Sequence, residues 1–447
     1  MKAIFTYILL IGCFMKAYSQ DINLISKEQA IADIDSLVYT ISEVHPEMFT
    51  VCKQGEFLKM VSEIQEALPD SVSAWEMYVR LQPLVVRIGD GHTSLSFPFN
   101  DVIKENTPRL PMNMIVDADN KVKVAYSVDN RIPAESEIVK INGITINEMY
   151  KRMLCYVSGE SEARKMNMIN EGFSALFFIL YSSDTYNVEY IEPGRNKASR
   201  IELKACTSKE LIEWRKKTQL AVSQPNDVPY SFKIIPEKNV AIMDFKSFVD
   251  SKYMETFSDS MFTTLKQNNI KNLVIDVREN GGGNSQVGDV LLSYISPKPF
   301  CQFYKFLARV TPTTQRLMRG HLDTGWYYGE ISEKEFVQPK DRSEGHYNGN
   351  IILLTSNHTF SSASSFAWAF KEFDMGKVVG EETGGMNVSF GDVVYYKMPY
   401  SGLSASISYK RFWQYGADEN NIHGTIPDFI VPKEDALSKA LELCGHN

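Results

Sequence analysis

Residues from about 25 to 85 place apolar side chains at helical spacing. Ile31, Ile34, Leu37, Val38 and Ile41 recur three and four apart behind Ser26-Lys27-Glu28-Gln29, which reads as a capping start. Further helices are predicted over 57–68 and 75–86, with Pro69 and Pro83 as punctuation. The pattern changes at Arg87-Ile88-Gly89-Asp90-Gly91-His92, where glycines break the helix and polar–apolar alternation then begins a strand. From about 107 to 205 short strands surround one helix. Strands are predicted over 122–127 and 137–141, Asn142-Gly143 is a tight turn, and 147–155 is the helix. From 206 onward strands and helices alternate, which predicts an α/β layered domain. The runs 240–245, 272–277 and 351–355 are apolar throughout, as suits strands buried on both faces. Helical periodicity covers 254–267 and 362–373, the latter with Gly376 as its stop.

The extreme N-terminus has a different character. Met1-Lys2 precedes an apolar run from Ala3 to Met15, and Ala17-Tyr18-Ser19 offers the small residues of a cleavage site. Residues 1–19 are therefore expected to be a signal peptide, too short for an ordinary membrane span. Leu10-Ile11-Gly12-Cys13 supports a competing reading, a lipobox that would make Cys13 a lipid anchor in an outer membrane. Either way the protein is expected to be exported, periplasmic or secreted, with no membrane span in the rest of the chain.

Composition narrows the trade. The 447 residues carry 47 Lys+Arg against 55 Asp+Glu, a net charge of −8 without basic clustering, so a nucleic-acid partner is not expected. Six scattered cysteines show no Cys-x-x-Cys spacing, so no metal, cofactor or disulfide framework is predicted.

Three segments carry candidate chemistry. Asp276-Val277-Arg278-Glu279-Asn280-Gly281-Gly282-Gly283 follows a buried strand, where a glycine run can present N–H groups to a phosphate or to a reacting oxygen. No lysine follows in a phosphate-loop pattern, which disfavours the phosphate reading. Thr359-Phe360-Ser361-Ser362-Ala363-Ser364-Ser365 lies at a strand-to-helix corner. A hydroxyl there stands at a helix N-terminus, and four serines exceed what capping requires. Gly89-Asp90-Gly91-His92-Thr93 puts a histidine on a loop as a base candidate, with His321, His346, His358 and His423 as rivals.

Together these segments resemble the C-terminal-processing, tail-specific serine proteases, and within them the tricorn-core-like branch. The 276–283 segment is similar to the family's Asp-x-Arg-x-Asn-x-Gly-Gly. Gly380-Glu381-Glu382-Thr383-Gly384-Gly385 is similar to Gly-Glu-x-Thr-x-Gly, and Gly424-Thr425-Ile426-Pro427-Asp428 to Gly-Ile-x-Pro-Asp. The motifs stand in the family's order over about 87–435. The resemblance implies a multidomain α/β protein: an N-terminal helical region (20–106), a PDZ-like module (107–205), and a protease core of the ClpP/crotonase type (206–447).

The resemblance also implies roles. Ser362 would be the nucleophile and His92 the base, since Met386 occupies the position of the lysine used by the other branch. Amides of Gly282 or Gly283 and of Ala363 would form the oxyanion hole, and Glu419, with Asp418 as the nearby alternative, would support the histidine. Two positions depart from the family pattern: Gly91 replaces the serine expected before the histidine, and Ser364 and Ser365 replace an acid expected after the nucleophile. The function implied is a secreted serine endopeptidase acting on unfolded or C-terminally exposed polypeptides through an acyl-enzyme. The alternative is a catalytically impaired homologue that binds peptides or small apolar ligands in the same cleft.

Overall fold

The computed structural model describes residues 24–128, 130–217, 228–318, 322–341 and 345–445. The expected signal peptide, Cys13 and His321 lie outside these residues. Helix α1 (Lys27–Val44) begins as its capping pattern requires: the Gln29 N–H donates to Ser26 Oγ, and the Ser26 N–H donates to Gln29 Oε1. Helices α2 (Gln54–Glu66) and α3 (Ala74–Val86) follow. Pro83 lies inside α3 and does not end it. A proline there frees the carbonyl four residues earlier, and that carbonyl, on Val79, accepts from Tyr156 Oη at 3.0 Å. Strand β1 (Ser94–Ser96) closes this region.

The middle of the chain forms strands β2 (Met112–Val116), β3 (Val122–Ser127) and β4 (Glu137–Ile141), then helices α4 (Ile146–Met153) and α5 (Glu162–Tyr181). Strands β5 (Thr185–Ile191) and β6 (Ser199–Lys204) complete an antiparallel sheet of order β6-β5-β4-β3-β2. Asn142 and Gly143 take positive φ of 52° and 80° in the predicted turn. The single helix expected here is corrected to two. In α5 the one-turn spacing of Ile169, Phe173 and Phe177 is masked by the continuous apolar run Ala175–Tyr181, which by itself resembles a strand as much as a helix.

The rest of the chain supplies β7 (Tyr230–Ile235), β8 (Val240–Phe245), α6 (Ser251–Gln267) and β9 (Asn272–Asp276). Then come β10 (Phe303–Val310), β11 (Gly325–Glu330), β12 (Asn350–Thr355), α7 (Ser362–Glu372) and β13 (Lys377–Gly380). Strands β14 (Val388–Lys397), β15 (Ser404–Gln414) and β16 (Phe429–Ile430) and helix α8 (Ala436–Cys444) finish it. Helix α7 stops before Gly376, because Asp374 already turns the chain at φ 58°.

The core sheet has the order β7-β8-β9-β12-β13-β16, parallel except for β7. Alternation along β8 sends Ala241, Met243 and Phe245 to one face, with Phe366 and Phe370 of α7. Val240 and Ile242 go to the other, with Ala436 and Ala440 of α8. That two-sided burial is why these strands read as unbroken apolar runs.

A third sheet, β11-β10-β15-β14, is antiparallel and departs from the strand–helix alternation expected after residue 206. It determines where the site forms, because β1 pairs with β15 through Ser96–Ser404, Leu95–Ala405 and Ser94–Ser406. The segment carrying His92 is thereby fixed against the C-terminal half of the chain. A second tie lies in the adjoining turn of the same hairpin. Buried Asp33 of α1 accepts the N–H groups of Tyr400 and Ser401 at 3.0 and 2.7 Å. Asp33→Ala leaves both amides without that partner and is expected to cost about 1–3 kcal/mol in urea unfolding. An unchanged unfolding midpoint would contradict this anchoring role.

Candidate active site

The loop after α3 is built around a buried carboxylate. Asp90 Oδ1 accepts the His92 N–H at 2.8 Å, while Oδ2 accepts Thr93 Oγ1 at 2.5 Å and Ser408 Oγ at 2.6 Å. The Ser408 N–H donates to Thr93 Oγ1, and Ser406 Oγ donates to the His92 carbonyl at 2.7 Å. Inward residues of β15 thus hold both sides of the histidine. Two imidazoles face Asp90: His92 Nδ1 lies 3.7 Å from Oδ1, and fully buried His45 brings Nε2 to 3.5 Å from Oδ2.

The other half of the site is the corner between β12 and α7. The Phe360 N–H donates to the Asn280 carbonyl, Thr359 Oγ1 donates to the Val277 carbonyl, and the Gly384 N–H donates to the Thr359 carbonyl. Two loops, 276–283 and 380–385, therefore clamp the turn, and Ser361 within it adopts φ 53°, ψ −128°. That conformation is sparsely populated for a residue with a side chain, and such strain persists only where the surroundings enforce it. It directs Ser361 Oγ to 3.0 Å from His92 Nε2.

The structure corrects the expected serine by one position. Ser362 turns inward as the first residue of α7, and its Oγ donates to the Gly283 carbonyl at 2.6 Å. Ser364 and Ser365 also point back, donating to the Ser361 carbonyl.

Two of the three amides expected to hold an anion are engaged elsewhere. The Ala363 N–H is already given to the Phe360 carbonyl and the Gly282 N–H to Asn280 Oδ1. Among the described residues the amides of Gly283 and Ser362 donate to no other group; Ser362 follows Ser361 directly, and its Oγ is bonded to Gly283. Position 282 must be glycine for two reasons: φ is +96°, and a Cβ would lie 2.8 Å from the Phe360 carbonyl oxygen and 2.9 Å from Ser361 Cβ.

Glu419 is not brought to His92. Its oxygens accept from Trp413 Nε1 at 2.8 Å and Arg411 Nη2 at 3.3 Å, which hold it on its own hairpin. Asp418 accepts from the Asn420 backbone and side-chain amides. The acids facing His92 are Asp90 and Glu160. Glu160 stands on the loop before α5, and its Oε1 accepts the Gly91 N–H at 3.1 Å. Phe360 stacks on the His92 ring at 4.6 Å, and Arg164 of α5 covers the other face of Phe360 at 3.5 Å.

The electrostatics follow from this packing. Burial alone would raise the Asp90 carboxyl, but the imidazoles of His45 and His92 facing it hold it well below the usual carboxylate range. Burial disfavours the His92 cation, yet Asp90, with the charge of Glu160, outweighs it and raises His92 above its ordinary value. Burial, reinforced by the charge of Asp90, raises Glu160.

The remaining motifs lock the scaffold. Asp276 and Arg278 form a two-pronged pair, and Arg278 Nη1 reaches the Lys433 carbonyl. Glu381 accepts from Asn357 and Lys433, Glu382 from the Gly424 N–H, Thr383 from the Thr425 N–H, and Asp428 from the Val378 N–H. Met386 is buried packing. Among the described residues two groups bring potential metal-binding atoms within 4.8 Å of one another. One is Asp90, His92 and Glu160, the charge cluster already described. The other is Glu171, Glu279 and His358, whose members form surface ion pairs with one another and with Lys433.

Residues 239–431 match peptidase family S41. That segment carries Ser361 and the Asn280–Gly283 loop, whereas His92 precedes it. Solved structures of CPAF have a similar fold. A serine-to-alanine CPAF mutant is matched over 93% of this chain and 95% of that chain, with TM-score 0.66 and 13% identity. Mature CPAF complexed with lactacystin is matched over 94% and 98%, with TM-score 0.63 and 12% identity. The fold is mixed α/β, and the match of residues 239–431 to a peptidase family makes the chain a serine-type peptidase.

Four residues of the site escape sequence reasoning in different ways. Asp90 stands in the His92 motif but without an assigned role, and Ser361 is adjacent to the serine chosen. His45 and Glu160 carry no local signal, since each reaches the site only through tertiary packing. The glycine before the histidine is explained by Glu160: a Cβ on Gly91 would lie 2.6 Å from its Oε2 and 2.8 Å from Phe360 Cζ. Gly91→Ser, which supplies the residue the family pattern called for, is therefore expected to slow hydrolysis of an unfolded protein about tenfold or more. A rate equal to wild type would contradict this account of the departure.

Proposed function

We propose that the protein is a serine endopeptidase in which Ser361 is the nucleophile and His92 the general base. The observation that carries the reading is the 3.0 Å contact between His92 Nε2 and Ser361 Oγ at a strained strand-to-helix corner. Ser361 Oγ attacks the scissile carbonyl carbon as its proton passes to His92 Nε2. The oxygen that gains charge is held by the amides of Gly283 and Ser362 at the start of α7, where the helix dipole adds to them. Collapse of the tetrahedral species breaks the C–N bond, and His92 returns the proton to the leaving amine. Water, deprotonated by His92, then hydrolyses the acyl-enzyme. Asp90 supplies the negative charge that favours the imidazolium.

The substrate class proposed is unfolded or C-terminally exposed polypeptide. The sheet β2–β6 with α4 is read as a PDZ-like reader of an extended chain, and residues 206–447 as a protease core of the ClpP/crotonase type. Residues 1–19 are read as an export signal, which would put such an enzyme among extracytoplasmic polypeptides. Paired base and nucleophile, with two amides beside them, favour turnover over a binding-only homologue.

Ser361→Ala and His92→Ala should each lower kcat against an unfolded protein by about 10³-fold or more, with melting unchanged. Ser362→Ala should stay within about tenfold of wild type, because its hydroxyl serves only the Gly283 carbonyl. The reverse ranking would return the nucleophile to Ser362. Because His92 must be neutral to accept the proton, kcat/KM should rise with pH through an apparent pKa above the ordinary histidine value of about 6.5. A limb centred below that value would contradict the charge arrangement around His92.

A further inference from the structure

Among the buried polar atoms without hydrogen-bond partners are His92 Nδ1 and Glu160 Oε2. Each offers what the other lacks, because an imidazolium donates at Nδ1 and a carboxylate oxygen accepts. They belong to neighbouring groups, since a ring nitrogen of His92 and carboxylate oxygens of Asp90 and Glu160 all lie within 4.8 Å of one another. Asp90 is poorly placed to take this proton itself. Its nearest oxygen, 3.7 Å from Nδ1, already accepts the His92 backbone N–H. Its other oxygen receives two hydroxyls.

Resting on the assignment of Ser361 and His92 above, we propose that Glu160 is the positioning carboxylate of the site, accepting the Nδ1–H of His92 as the ring becomes imidazolium. A side-chain swing, or one bridging water, joins the two atoms. The balance is simple: Ser361 loses its proton to Nε2, Nδ1 keeps its own, and the new positive charge is compensated by a hydrogen bond to Oε2. Asp90 remains the fixed anion that holds the loop.

The placement of Glu160 supports this role. It is the only member of the cluster that comes from the segment leading out of the middle sheet, and that segment touches both halves of the site. Ser158 Oγ donates to the Thr93 carbonyl, Glu160 takes the Gly91 N–H, and Arg164 covers Phe360 and donates to the Asn357 carbonyl. Gly91 keeps the space that the carboxylate occupies. The charged and titratable groups facing His92 are Asp90 on its own loop, Glu160 before α5 and Arg164 on α5, with His45 of the α1 C-terminus across Asp90 and Lys165 beside Glu160. Burial and the charge of Asp90 raise Glu160, while His92 lowers it, so gain of charge on His92 favours loss of the proton from Glu160.

Glu160→Gln separates this role from loop anchoring, because an amide oxygen still accepts the Gly91 N–H while the charge is gone. In the full-length enzyme, kcat is expected to fall about 100-fold or more with little change in KM, and the acid limb of kcat/KM to move to lower pH. Glu160→Asp, which keeps the charge one methylene short, is expected to recover part of the loss. In parallel, NMR titration of His92 in the Ser361→Ala protein reads the pairing without turnover. Adding Glu160→Gln should lower the His92 pKa. A Glu160→Gln enzyme with wild-type kcat and an unmoved pH limb would overturn the proposal, and so would an unmoved His92 titration. Absence of Ser361-dependent hydrolysis in the wild type would instead remove the peptidase assignment and leave the NMR arm to decide the pairing.

Discussion

The buried carboxylate of Asp90 is the constraint on which the site depends. An ion in a low-dielectric interior is tolerated only when donors and opposite charge surround it. Satisfying Asp90 requires the His92 amide, the Thr93 and Ser408 hydroxyls and the imidazoles of His45 and His92 to converge. Those groups come from the end of α1, the loop after α3 and strand β15. The pairing of β1 with β15 and the ionisation of Asp90 therefore enforce the same arrangement, which carries His92 to a serine 269 residues away.

The serine side is organised by backbone strain. A left-handed Ser361 is held because the 276–283 and 380–385 segments hydrogen-bond to the turn on both sides. Most residues of the family-like motifs thus act as braces between loops and have no part in chemistry. The Asp276–Arg278 pair, Glu381, Thr383 and Asp428 all accept or donate within the scaffold. In the proposed mechanism the chemistry falls to one hydroxyl, one imidazole and two amides.

Much of this is legible in the sequence, and the boundaries of legibility are physical. Strands buried on both faces announce themselves as apolar runs, so β8, β9 and β12 are found within a residue of their ends. The antiparallel sheet is hidden because β10, β11, β14 and β15 are half-buried and carry many polar residues, which blurs their alternation. The corner at 359–366 reads correctly as a turn into a helix. Which of its serines faces the histidine depends on the dihedrals of Ser361, and adjacent serines of identical chemistry leave no mark of that. Glu419 fails for a related reason: closeness in sequence to the 424–428 motif does not fix a side chain that Trp413 and Arg411 capture first. Glu160 enters from a distant segment and is visible only indirectly, through the glycine that makes room for it.

The most direct measurement of the central claim is labelling of the wild-type protein with a fluorophosphonate, followed by mass-spectrometric mapping of the modified residue. The account predicts a single adduct on Ser361 that is lost in His92→Ala. An adduct on Ser362, or one formed equally well without His92, would contradict it.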